Sequence, residues 1–196
     1  MAGDRFDDPL RVESTDGVQV AAYDLGGEGP DVICVHATGF CAGVWGPMAA
    51  GLHGHVHALD VRGHGRTALP PGVDMAWTGT ADDVLATLDR LGLRHPVGLG
   101  HSMGGAALLL AEAATFEMGP RHDGWSLLGQ VRCPVTVLRG GDDTGGPAGL
   151  APRIVEHLPA GHLEEHPELG HFGPLEQPDA MADSANAVIR TVTGSA

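Results

Sequence analysis

The sequence contains no lysine. Its eleven cationic side chains are all arginine, set against 25 Asp and Glu, for a formal charge of −14. A surface this acidic disfavours nucleic acid and anionic membrane, so neither is an expected partner. The acids are scattered along the chain, as on a solvated face. Cysteine is scarce as well. Cys34, Cys41 and Cys133 are odd in number and form no C-x-x-C pair, which argues against a disulfide framework, a zinc knuckle or a redox dithiol. Cys34, inside the apolar run VICV, reads as a small buried hydrophobe. No apolar run approaches the ~20 residues of a membrane-spanning helix. The opening MAGDRFDDPLRVE carries acids where a secretory leader carries an apolar segment, so the expectation is a cytoplasmic protein.

What is present is a 196-residue chain with 42% hydrophobic residues, enough for one domain over residues 1–196 with a substantial core. Apolar segments of two periods alternate along it. LRVES and VQVAAYDL (18–25) suggest an antiparallel pair at a sheet edge. DVICVHA (31–37) is continuously apolar, as in a strand covered on both faces. HVHALDV (55–61), PVGLG (96–100), CPVTVLRGG (133–141) and GHLEEHP (161–167) complete the strands. Between them, 44–54, 80–93, 105–114, 149–158 and 178–192 carry helical patterns. Repeated strand–helix units predict an α/β fold, a mostly parallel sheet with helices on both faces.

Residues 98–105, GLGHSMGG, place one serine between glycines two positions before and two after, between a strand and an alanine-rich helix. A strand that runs directly into a helix must turn sharply, and glycines relieve the crowding there. The apical Ser102 then projects from the carboxyl edge of the sheet at the positive end of the following helix: a nucleophile elbow. A serine hydroxyl needs a base, and the base an orienting acid. Of twelve histidines, His171 in ELGHFGPLEQPD follows the last strand at that same edge; His101 should point away along the strand. The acid candidate is Asp143 in VTVLRGGDD, with Asp142 as its rival. His53, His55 and His57 alternate on one strand, but no neighbouring carboxylate cluster in the sequence accompanies them, so no metal site is expected.

In order along the chain, HATGF (36–40), DVRGHG (60–65), GHSMGG, RGGDD and GHFGPLEQPD resemble the α/β-hydrolase superfamily. The resemblance covers nearly the whole chain except residues 115–132. It implies a Ser102–His171–Asp143 triad, with Asp143 favoured over Asp142, and an oxyanion hole made by the backbone N–H groups of Thr38 and Met103. Ala37 stands where the family carries glycine. His36 and His64 are read as loop supports, while Phe40, Trp45, Met103 and Phe172 are candidates for a substrate pocket or for core. No cofactor is implied. The expected activity is cleavage of small-molecule carboxylic esters through an acyl-enzyme. Lactone, thioester or carbon–carbon bond hydrolysis and perhydrolysis run on the same machinery, and a non-catalytic scaffold is the alternative from another class. Residues 115–132 are too short for the strand and cap that family members place there. Either the sheet closes up by one strand beneath a lidless site, or strand edges stay open and a second copy covers them in a homodimer.

Overall fold

The computed structural model describes residues 5–114, 124–141 and 147–194. Each expected strand forms: β1 (Leu10–Glu13), β2 (Gln19–Gly26), β3 (Asp31–Val35), β4 (His55–Asp60), β5 (Val97–Gly100), β6 (Val135–Gly140) and β7 (Gly161–His166). The helices are α1 (Gly46–Ala49), α2 (Trp77–Leu91), α3 (Met103–Ala114), α4 (Gly124–Leu128), α5 (Ala151–His157), α6 (Gly173–Glu176) and α7 (Pro178–Thr193). The four-residue turn α6 has no counterpart in the sequence pattern. It is too short to show a period.

Five strands lie in the order β1-β2-β4-β3-β5, with β1–β2 and β2–β4 antiparallel and β4–β3 and β3–β5 parallel. Strand alternation splits the core in two. Val32, Cys34, Val56 and Ala58 point to one face, where Trp45, Met48, Met181 and Ile189 cover them. Ile33, Val35, Leu59 and Val61 point to the other, under Val84 of α2 and Ala107 and Ala111 of α3. The sheet is therefore sandwiched between α1 with α7 and α2 with α3, as alternating strand–helix units require.

β6 pairs in parallel with β7 in a separate two-stranded sheet. Among the described residues, β5 makes a ladder only with β3, so the acid-loop strand has not closed up beside the serine-bearing strand. A smaller apolar cluster spans the gap instead. Trp125 and Leu128 from α4, followed by Val131, pack with Leu109 of α3, Val137 of β6, and Ile154 and Leu158 around α5. The exposure pattern reports the same break. Gly98 and Gly100 of β5 and Leu138 of β6 are exposed, whereas every residue of β3 after Asp31 is buried. Of the short segment 115–132, residues 115–123 lie outside the described residues, and Gly124–Leu128 form a short helix.

Candidate active site

Ser102 has φ 52°, one of two non-glycine residues with positive φ among those described. That is left-handed backbone, costly for a residue with a Cβ. The flanking glycines are required for a different reason, close approach. A Cβ on Gly104 would lie 2.0 Å from the Val35 carbonyl oxygen, and one on Gly100 would lie 2.4 Å from the Gly105 nitrogen. Helix α3 is thus pressed against the ends of β3 and β5. Hydrogen bonds lock the turn: His101 N–H donates to Val35 O at 3.0 Å, Gly104 N–H to His101 O at 2.9 Å and Gly105 N–H to Ser102 O at 3.0 Å. Ser102 itself is exposed, at the first turn of α3. The expected sharp strand-to-helix turn is present.

Three further loops meet at this edge. His101 is 9% exposed, and its Nε2–H donates to the His171 carbonyl at 2.8 Å, with the two rings 5.2 Å apart. Burial pushes the His101 imidazole below its ordinary range, against the raising effect of that hydrogen bond. His101 therefore ties the histidine loop to the elbow. The loop is closed by α6, where Glu176 accepts from Gly170 N–H at 2.9 Å. Gly141 N–H donates to Leu169 O at 2.9 Å, two residues before His171, which brings the end of β6 to the same loop. Asp142 and Asp143 lie outside the described residues.

The loop after β3 is held by two histidines. His36 Nε2 accepts from Val61 N–H at 3.2 Å, so its Nδ1–H donates to Ala37 O at 2.8 Å. His64 Nε2 accepts from Gly39 N–H at 3.1 Å, so its Nδ1–H donates to Arg62 O at 2.9 Å. Burial lowers the His36 pKa, as a neutral support needs. Thr38 is exposed in this turn and the Met103 side chain is buried. Phe40 lies 5.8 Å from Phe172 and 6.3 Å from His101, ring to ring, and Phe172 stays 45% exposed beside His171. Trp45, at 2% exposure, is packed into the core rather than onto this aromatic cluster.

The supports beneath these loops are invisible to a search for nucleophiles. Arg62, 2% exposed, donates Nε to Asp83 Oδ2 at 3.1 Å and Nη2 to Asp83 Oδ1 at 2.9 Å, a forked pair that fixes DVRGHG onto α2. Asp60 accepts from Tyr23 Oη–H, Ala42 N–H and Arg66 N–H at 2.8, 2.6 and 2.7 Å. Asp60 is the first residue of the DVRGHG motif and Asp83 faces it from α2.

This arrangement can be set beside known proteins. Residues 32–124 match the model of the alpha/beta hydrolase family. The chain superposes on a thermophilic esterase from Thermogutta terrifontis with a TM-score of 0.79 at 21% identity, over 94% of this chain and 99% of that one. The likeness shows an α/β-hydrolase fold. It is 34% identical over 125 residues to protein phosphatase methylesterase 1 of Mus musculus, covering 60% of this chain and 30% of the relative. It is 35% identical over 103 residues to N-formylmaleamate deformylase of Pseudomonas putida, covering 51% of this chain and 38% of the relative. The matched stretches thus span about a third of these relatives' lengths. Among the described residues, no helix is long and apolar enough to cross a membrane.

Proposed function

We propose that this chain is a serine hydrolase that cleaves small-molecule carboxylic esters through an acyl-enzyme. The observation that carries the reading is the strained Ser102, exposed at φ 52° on a turn that only glycine neighbours permit. Strain of this kind persists where surrounding structure over-determines it, and it concentrates at functional sites. Ser102 attacks the ester carbonyl. His171 takes the serine proton and passes it to the departing alcohol, then draws a proton from water as that water attacks the acyl-enzyme. Asp143 orients His171 and stabilises the imidazolium. The amides of Thr38 and Met103 hold the negative charge that develops on the carbonyl oxygen, each worth about 3–4 kcal/mol of transition-state stabilisation. Phe40 and Phe172 offer the substrate an apolar wall. Relatives named for ester and for formamide-type hydrolysis are consistent with this attack on a carbonyl. Their substrates are their own.

The split between β5 and β6 favours a second reading, a scaffold that kept the elbow without turnover. The two separate on p-nitrophenyl esters of graded acyl length. The hydrolase reading expects turnover that Ser102→Ala abolishes by at least about a thousandfold, since losing the nucleophile leaves only binding and oxyanion stabilisation. Equal turnover by Ser102→Ala and the parent chain overturns it.

A further inference from the structure

At the opposite edge of the sheet, where β3 and β4 begin, three potential ligands converge. Asp24 of β2 faces His57 of β4, and His55 lies two residues before it on the same face. One ligand atom from each of Asp24, His55 and His57 lies within 4.8 Å of the other two. The His55 and His57 rings are 4.5 Å apart. Asp24 Oδ1 accepts from His55 Nε2 at 2.9 Å and from Gly26 N–H at 2.7 Å, where the β2 register shifts between Asp24 and Gly26. Two imidazoles and a carboxylate brought together from two strands are the donor set of a borderline divalent cation.

The second observation concerns His57 alone. Its side chain is 8% exposed, yet neither ring nitrogen has a hydrogen-bond partner. The nearest carboxylate, Asp31 Oδ1, stands 3.7 Å from Nε2, beyond hydrogen-bonding distance. Buried polar atoms of this kind are normally satisfied, and an orphan pair on one ring requires an explanation. The cluster at the end of β7 shows the contrast. His166 donates at both nitrogens, to Glu164 at 2.7 Å and to Glu168 at 3.1 Å, and leaves nothing for an ion.

We propose that Asp24, His55 and His57 form a binding site for a divalent transition-metal ion of the zinc class, separate from the Ser102 edge. The ion replaces the proton between His55 Nε2 and Asp24 Oδ1. A tetrahedral ion with bonds of ~2.0–2.2 Å needs about 3.3 Å between those atoms, a few tenths more than the present 2.9 Å. His57 supplies the third bond, water the fourth, and Asp31 is placed to orient the His57 ring. Entry is open, since the His55 and Asp24 side chains are 38% and 63% exposed. The ion would clip β2 to β4 at the register shift, so its effect falls on stability rather than on the reaction at Ser102.

The test is zinc titration of the chelator-treated full chain by calorimetry, with cobalt(II) absorption and thermal unfolding in parallel. The expected result is one equivalent bound, tetrahedral cobalt bands without a thiolate-to-metal transition, and a raised melting temperature. Asp24→Asn, at an exposed position, and His55→Ala, at a half-buried one, weaken zinc at least tenfold. Ser102→Ala binds it unchanged. Should His57→Ala fail to fold, the Asp24 and His55 variants decide alone. Absence of binding, binding that the Asp24 and His55 variants leave intact, or a thiolate transition that puts the ion on cysteine would each overturn the site.

Discussion

At the residue scale the elbow depends on two missing Cβ atoms more than on any side chain except Ser102 itself. Gly104 does not need its freedom of φ; it needs to be flat, because the Val35 carbonyl fills the place of a methyl group. Gly104→Ala therefore forces α3 away from β3. The expected outcome is a loss of about 3 kcal/mol in urea unfolding, together with loss of serine reactivity. A variant with parent-like stability would show that the helix–sheet contact has slack. GHSMG made this turn legible from sequence, because it directly follows an apolar strand and opens an alanine-rich helix. The carboxylate neighbours of His57 were not legible. Asp24 and Asp31 are distant from it in sequence, and only the pairing of β2 and β3 with β4 brings them alongside.

At the element scale the central strand was readable because buried parallel strands are continuously apolar, and VICV has that signature. Pairing was not. PVGLG reads as a strand, but nothing in it tells that among the described residues it has a ladder on one side only. Pattern reports the side-chain environment, not which backbone edge is occupied. The expected consequence is that β5 amides without a β3 acceptor exchange with solvent much faster than the amides of β3 and β4. Protection equal to β4 would contradict an open edge, and protection that grows with protein concentration would identify a second copy as its cover. The register shift in β2 and the turn α6 were equally hidden, since neither leaves a period in the sequence.

At the scale of the whole molecule, buried neutral histidines tie stability to pH. Burial holds His36 and His101 below the ordinary histidine range in the folded chain. In the unfolded chain both titrate near ~6.5. Their contribution is complete above that value and falls away as pH drops toward the lowered folded values, by about 1.4 kcal/mol per unit for each. His166 acts in the other direction. Burial opposes its charge, but Glu164 and Glu168 outweigh that and raise its pKa, so its contribution fades as pH rises. The balance expected at pH 6 is net proton uptake on unfolding, read from calorimetry in buffers of different ionisation enthalpy. Net release would contradict it. The −14 charge of the chain does not enter this difference, because carboxylates at pH 6 are ionised in both states.

The central claim is that Ser102 is an activated nucleophile, and mass spectrometry of the intact chain after exposure to a fluorophosphonate tests it most directly. One adduct per chain is expected, mapped to the peptide that carries Ser102 and absent in Ser102→Ala. An unmodified chain, or an adduct on any other residue, would contradict the account.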